Sequence, residues 1–144
     1  MNVITKSEQE TIKFGEKFGK TLKGGEVVLL IGDLGAGKTT FVKGVAKGLG
    51  ITRVVNSPTF VLMKIYEIRN KEYRIKKLVH IDTYRGLEIG DLENIGAVEY
   101  FKRQDCVSFV EWGESLEEYL KKEKITFQKI VIRNINENER EFSF

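Results

Sequence analysis

The pattern of apolar and polar residues predicts alternating strands and helices. Residues 26–31 are short and almost wholly apolar, which is typical of a strand buried on both faces of a parallel sheet. Apolar residues then recur at helical spacing across 41–49, and Gly50 predicts the end of that helix. A glycine-rich loop separates the two, so the local order is strand, loop, helix.

Another helix is predicted before this unit. Ser7 fits an N-cap, and Glu10, three residues later, fits its capping-box partner. The Gly24-Gly25 pair predicts the end of this helix. Its rough apolar face consists of Ile12, Phe14, Phe18 and Leu22.

The middle of the chain favours strands. Residues 60–68 and 73–81 are rich in strand-forming residues and flank the polar stretch 69–72, which predicts a β-hairpin. Residues 107–110 predict another buried strand that ends at Glu111.

Short helices are predicted around this last strand. Residues 87–101 predict one or two helices interrupted at Gly90 and Gly96, and residues 115–122 predict a surface helix.

An antiparallel strand pair is predicted to close the chain, over 125–132 and 140–144 with a turn at 134–139. The whole pattern predicts one α/β domain over residues 1–144, with a mixed sheet that is parallel at its centre and carries antiparallel hairpin strands.

Composition narrows the class of protein. Apolar residues make up 41% of the 144 residues, enough for a packed core. The net charge of +3, without a long basic run, does not support direct binding of DNA or RNA. Cys106 is the single cysteine and follows the pattern of a buried core thiol. With no signal peptide and no run of about 20 apolar residues, we expect a soluble cytoplasmic protein that does not contact membranes.

The glycine-rich loop carries the strongest chemical signal, Gly32-Asp33-Leu34-Gly35-Ala36-Gly37-Lys38-Thr39, followed by Thr40. In this pattern, backbone N–H groups and the next helix N-terminus bind phosphates. Lys38 can reach the β- and γ-phosphates, and the Thr39 hydroxyl can bind Mg²⁺. A guanine-reading Asn-Lys-x-Asp motif is absent, since residues 70–73 lack the aspartate. The loop therefore predicts binding of ATP with Mg²⁺.

Two acids follow predicted strands and suit the same site. Asp82 ends the segment 78–81, and Glu111 ends the segment 107–110. In a parallel sheet such residues lie near the phosphate loop. Either acid could hold the metal, and the other could orient water.

Four other positions have both a functional and an ordinary interpretation. Thr59, after the only proline, could offer a hydroxyl near the γ-phosphate as a nucleotide-sensing switch does, or simply precede a strand. Arg85 could pair with an acid or contact phosphate. His80 fits a structural residue better than a proton shuttle, and Trp112 fits a packing residue better than a contact.

Taken together, these motifs resemble the TsaE family (the YjeE family), the ATPase component of the bacterial machinery that makes threonylcarbamoyladenosine in tRNA. The resemblance rests on the loop with Ser-Pro-Thr-Phe at 57–60, His-Ile-Asp-Thr-Tyr-Arg at 80–85 and Glu-Trp at 111–112. It covers essentially the full length and implies a three-layer P-loop NTPase fold.

The resemblance also implies residue roles. It makes Glu111 the acid that joins Thr39 around Mg²⁺, Asp82 the residue implicated in hydrolysis, and Thr59 part of a switch-like loop. Lys38 would act with them in catalysis.

Three further positions are implied to line the nucleotide. Arg140 resembles a family position near the nucleotide, and Glu8 and Thr11 resemble the segment on the base side. The sequence departs from the family at Trp112-Gly113, where many members carry proline after the tryptophan.

The implied role is that of a helper ATPase. Family members bind the TsaD–TsaB pair, hydrolyse ATP and touch tRNA only through that complex. An in-line water would attack while Lys38 and Mg²⁺ neutralise charge and Asp82 orients the water. No arginine is obviously placed as a finger, so we expect slow hydrolysis that changes when the partners bind.

Two alternatives remain open from the residues. A small-molecule P-loop kinase would need an Arg-bearing lid, for which Arg103 is a weak candidate without a second arginine beside it. An ATP-dependent binding module would use the nucleotide as a conformational ligand and hydrolyse it only incidentally.

Overall fold

The computed structural model describes residues 1–33, 35–53, 55, 63–70, 72–82 and 89–144. Its elements follow the chain as β1 (Asn2–Thr5), α1 (Glu8–Thr21), β2 (Val27–Ile31), α2 (Lys38–Gly48), β3 (Met63–Glu67), β4 (Lys77–Asp82), α3 (Ile89–Asn94), α4 (Ala97–Tyr100), β5 (Cys106–Glu111), a 3₁₀ turn (Gly113–Leu116), α5 (Glu117–Lys122), β6 (Gln128–Asn134) and β7 (Arg140–Ser143).

The described strands form one sheet in the order β1-β7-β6-β2-β5-β4-β3. The central neighbours β6, β2, β5 and β4 run parallel to one another. Antiparallel pairs flank them, with β7 and β1 at one side and β3 at the other. The predicted mixed, centrally parallel sheet with hairpin strands is confirmed.

Helices cover both faces of the sheet, giving three layers. Alternate residues of β2 explain why: Val28 and Leu30 pack on the α1–α2 side, whereas Val27 and Leu29 pack on the side of α3, α4 and α5. All four are essentially inaccessible. A strand with helices packed on both faces needs apolar residues at successive positions, and the sequence of β2 has this pattern.

Local helix signals are also confirmed. The backbone N–H of Glu10 donates to the Ser7 hydroxyl at 3.1 Å, so Ser7 is the N-cap of α1. The Glu10 carboxylate accepts from the Lys6 N–H, one residue before the cap. Helix α2 ends at Gly48, two residues before the predicted Gly50. Within the described part of the chain, no helix is both long and apolar enough to cross a membrane.

The structure differs from the sequence predictions in several places. Strand β1 is not predicted, because its four residues, of which only Thr5 is buried, form too short a pattern to indicate a strand. Strand β4 begins at Lys77 rather than at residue 73, because the Tyr73 N–H bonds to the Asn70 carbonyl at 3.1 Å in a turn. The predicted strand residues 60–62 and helix residues 87–88 lie outside the described residues.

A further difference concerns the glycines of the predicted 87–101 segment. The chain does break at Gly96, whose φ of +79° lies in the left-handed region between α3 and α4. The predicted interruption at Gly90 is wrong, since Gly90 lies inside α3. A glycine lowers helix propensity by about 1 kcal/mol, which packing of Leu92 in the core can offset.

Helix α1 packs on α2 through glycines rather than only through its apolar face. Gly15 and Gly19 are buried residues of α1, Gly44 and Gly48 are buried residues of α2, and Gly15 lies directly against Gly44. A Cβ atom at any of these four would overlap a backbone carbonyl of the other helix. The predicted face still contributes, because Phe14, Phe18 and Leu22 pack against the core from a partly buried position.

Candidate nucleotide-binding site

The glycine loop joins the end of β2 to the start of α2. Gly35 and Gly37 have φ values of +78° and +102°, a region that L side chains rarely adopt. The first turn of α2 has no side-chain cap, so its N-terminal N–H groups are not engaged by a cap residue. Such a terminus, next to a curled glycine loop, is an anion-binding arrangement.

Lys38 is folded back over its own loop. Its Nζ donates to the carbonyls of Gly32 at 2.5 Å and Asp33 at 3.0 Å, and it lies 3.8 Å from the centroid of the Trp112 ring. Burial lowers the pKa of the Lys38 ammonium, and the charges of neighbouring acids, Glu111 first among them, oppose that shift. The result is a buried cation beside the phosphate loop.

Glu111 and Asp82 lie side by side at the carboxyl ends of β5 and β4. The register pairs Glu111 with Leu30 of β2 on one side and with Asp82 on the other. Both acids are at least 95% buried. The Thr39 hydroxyl donates towards both carboxylate oxygens of Glu111, at 3.0 and 2.9 Å. The predicted pair of strand-end acids and the loop threonine are thus brought together.

His80 is a member of this cluster. It is fully buried, and its Nε2 lies 2.5 Å from Oε2 of Glu111. The sequence interpretation treated His80 as structural and missed this contact. A signal was present, because residues two apart on a strand share a face, which puts His80 on the face of Asp82.

A cavity of about 520 Å³ lies over the loop. Its walls come from both ends and the middle of the chain. The predicted site residues that line it are Glu8, Thr11, Gly35, Ala36, Gly37, Lys38, Thr39, Thr40, Asp82, Glu111 and Arg140, and the residues not predicted are Trp112, Glu137 and Asn138.

Some predicted residues contribute differently or fall elsewhere. Asp33 does not line the cavity, but its carbonyl accepts from Lys38 and from the Ala36 N–H. Leu34, Thr59 and Arg85 lie outside the described residues. The structure does not bring Arg103 to the cavity: it forms a two-point ion pair with Asp105, at 2.9 and 2.8 Å.

Arg140 begins β7 and lies against the loop. A Cβ built on Gly37 would stand 3.5 Å from the Arg140 Nε. Its Nη1 donates to carbonyls of the β6–β7 turn, at Asn136, Glu137 and Glu139. The turn is thereby held at the cavity rim, which explains how Glu137 and Asn138 reach the site.

Trp112 contacts the site more closely than its sequence position indicated. Its φ of 61° is left-handed, and its N–H bonds to the Leu30 carbonyl at 2.9 Å. This turn directly after β5 directs the ring over Lys38. Such backbone conformations in a bulky residue are uncommon and cluster at functional sites.

Cys106 is a buried free thiol, as predicted. Burial raises its pKa to about 11, with the neighbouring Asp105 carboxylate adding to the shift. It is therefore an inert core residue and takes no part in the site.

The layered sheet and the glycine loop between β2 and α2 define the class, which is the P-loop NTPase fold. A family model described as threonylcarbamoyl adenosine biosynthesis protein TsaE matches residues 5–142. This chain belongs to the TsaE family.

Individual relatives agree. The TsaE protein of Bacillus subtilis is 43% identical over 140 residues, covering 97% of this chain and 82% of that protein. The TsaE protein of Treponema pallidum is 39% identical over 137 residues, covering 94% and 96%. Among solved structures, the crystal structure of Bacillus subtilis YdiB matches with a TM-score of 0.70 and 35% identity, covering 99% of this chain and 82% of that one.

Proposed function

We propose that this protein is a Mg²⁺-dependent ATPase that supports threonylcarbamoyladenosine modification of tRNA together with the TsaD–TsaB pair. The observation that carries the ATPase assignment is the Thr39 hydroxyl held between both oxygens of Glu111, beside a glycine loop and a buried Lys38. The tRNA role rests on the family, whose members are described as threonylcarbamoyladenosine biosynthesis proteins.

The donor set fits Mg²⁺ bound to a triphosphate. A hydroxyl and a carboxylate are the hard oxygen ligands that Mg²⁺ prefers, and Mg²⁺ usually takes only one or two protein groups, with phosphates and waters as the rest. Thr39 and Glu111 would hold it, the latter directly or through water. When bound, Mg²⁺ neutralises charge on the phosphates and helps to orient them.

The loop fits the phosphates themselves. The uncapped start of α2 offers backbone N–H groups, and Lys38 offers a cation that contacts, among the described residues, two carbonyls of its own loop and the Trp112 ring. Phosphate oxygens would be stronger acceptors for this ammonium than carbonyl oxygens. The cavity of about 520 Å³ lies within the usual size of a small-molecule site.

The two acids divide their work according to their contacts. Glu111 is engaged by Thr39 and His80, which suits the acid that holds the metal. Asp82 lies next to it in register and lines the same cavity, a position that suits the acid that would orient the attacking water. This division supports the roles that the family resemblance implies.

The ATPase is tested by measuring ATP binding and phosphate release without any added acceptor. In Lys38→Ala we expect ATP affinity to fall about 10- to 150-fold, the equivalent of one charged hydrogen-bonding partner, and hydrolysis to be lost. Lys47→Ala is the matched control, because Lys47 is exposed at the far end of the same helix.

Unchanged activity in Lys38→Ala would refute the site assignment. Strict dependence of phosphate release on a small-molecule acceptor would instead favour the kinase alternative.

A further inference from the structure

His80 contacts Glu111, the acid assigned to Mg²⁺ above. It belongs to β4, where its neighbours in register are Phe109 of β5 and Lys64 of β3. The contact joins its Nε2 to Oε2 of Glu111 at 2.5 Å, and the same oxygen receives the Thr39 hydroxyl at 2.9 Å. Glu111 is therefore held from two elements at once, α2 and β4.

The proton on the ring can be assigned from its partners. An ionised carboxylate only accepts hydrogen bonds, so the Nε2 of His80 must carry the hydrogen that it shares with Glu111. Nδ1 is buried and has no hydrogen-bond partner among the described residues. Because an orphaned buried N–H is rarer in proteins than an orphaned acceptor, the tautomer with its hydrogen on Nε2 is the one that fits these contacts.

The bond constrains Glu111 without occupying its other oxygen. A glutamate side chain has several free torsions, and a donor fixed in a buried strand removes that freedom. The His80 contact falls on Oε2, whereas Oε1 faces Thr39 at 3.0 Å. Outer groups that hydrogen-bond a metal-binding carboxylate in this way orient it and tune metal affinity.

We propose that His80 is a positioning residue that holds Glu111 ready for Mg²⁺ and so sets the metal-dependent part of nucleotide binding. This inference rests on the function proposed above. His80 acts through Glu111 and does not itself touch nucleotide. An ordinary core histidine would support packing alone and would affect nucleotide binding equally with and without metal.

The test measures ADP binding by calorimetry across a Mg²⁺ titration and in EDTA. Mg²⁺ is expected to change the affinity for ADP. In His80→Leu, the Mg²⁺ concentration that produces half of this change should rise about 10- to 100-fold. ADP affinity in EDTA should stay within about twofold of the wild type, because the phosphate loop is unchanged. His80→Gln, whose amide nitrogen can reach the Nε2 position, should restore most of the Mg²⁺ response.

Two further variants make the result specific. His80→Asn has an amide too short to reach Glu111, so it should behave like His80→Leu and carries the test if the leucine variant does not fold. Glu111→Gln removes the carboxylate itself, and adding His80→Leu to it should cause little further loss, because both changes act on one contact.

Separate outcomes overturn separate claims. A wild-type Mg²⁺ response in both His80→Leu and His80→Asn overturns the positioning role while leaving the proposed function intact. An equal loss of ADP affinity with Mg²⁺ and in EDTA overturns the positioning role in the same way. If wild-type ADP binding shows no Mg²⁺ response, the metal assignment of the proposed function fails, and this inference fails with it.

Discussion

At the scale of single residues, Lys38 is a cation kept where burial disfavours its charge. It is 4% exposed, and its ammonium is held by two carbonyls and the Trp112 ring. The glycine-loop motif predicts that this lysine lies at the phosphate site. Its contact with Trp112 was not predictable, because a left-handed turn after β5 follows from no spacing in the sequence.

The lowered pKa of Lys38 predicts a pH-dependent stability. Native Lys38 loses its proton at a lower pH than the unfolded chain, whose lysine pKa is 10.5. Between these two pKa values the unfolded state binds more protons, so the free energy of unfolding contributed by Lys38 rises with pH. We therefore expect the stability of the wild type relative to Lys38→Met to increase as pH rises towards 10.5.

Denaturant unfolding of both proteins across alkaline pH measures this difference. Lys47→Met serves as the control, because Lys47 is exposed on the same helix and its difference from the wild type should stay flat. A wild-type advantage over Lys38→Met that shrinks with rising pH would contradict the burial argument.

At the scale of elements, the contact between α1 and α2 connects the two walls of the cavity. Helix α2 carries Lys38 and Thr39, and α1 carries Glu8 and Thr11. The apolar face predicted for α1 is only part of this contact. Glycines permit the close approach of the two helices. In a sequence, however, a glycine lowers the predicted helix propensity and does not indicate a packing surface.

A glycine inside this contact and a glycine outside it should respond in opposite ways to replacement by alanine. A Cβ at Gly44 would overlap the Ile12 carbonyl and stand 2.9 Å from the Gly15 Cα, so Gly44→Ala should lower stability by about 1–3 kcal/mol. The displaced α1 should also weaken ATP binding. At Gly90 in α3 no described residue packs within 4 Å of the added atom, so Gly90→Ala should raise stability by up to about 1 kcal/mol.

Chemical denaturation and ATP titration of the two variants test this pair. Equal stability of Gly44→Ala and the wild type would show that the helices separate without loss, contrary to the packing described.

At the scale of the whole molecule, the site depends on both ends of the chain. The first and last strands pair, with Thr5 opposite Arg140, and the Thr5 hydroxyl bonds to that of Thr11 at 2.7 Å. The cavity lining thus joins the start of α1, the middle strands and the β6–β7 turn. Among the described residues, Arg140 is the arginine that lines it, and its Nη1 is already bonded to turn carbonyls.

An arginine held in this way predicts slow hydrolysis by the protein alone. P-loop NTPases without an arginine finger turn over at about 10⁻⁴ to 10⁻³ s⁻¹ until a partner supplies charge or orders a loop. We expect phosphate release in this range for the isolated protein, and a change of at least about tenfold when the TsaD–TsaB pair is added. Rapid turnover that the pair leaves unaltered would contradict the proposed helper role.

The sequence by itself determined the unit of buried strand, glycine loop and helix, the capped first helix, and the acids that end two strands. Each of these features is visible in contiguous residues. A phosphate-binding loop needs particular residues at fixed spacing, and a strand buried on both faces needs an unbroken apolar run. The family resemblance extended them to the full length, and the comparison over residues 5–142 agrees.

Only the tertiary structure decided which of the two acids, Glu111 or Asp82, contacts Thr39 and His80. Their sequence settings are alike, each an acid after a buried strand, and either could have held the metal. Strand register and helix packing place Thr39 and His80 on Glu111, contacts that span 72 and 31 residues of chain. Such pairings depend on which strands become neighbours, and that choice is made by burial of the whole sheet rather than by any local pattern.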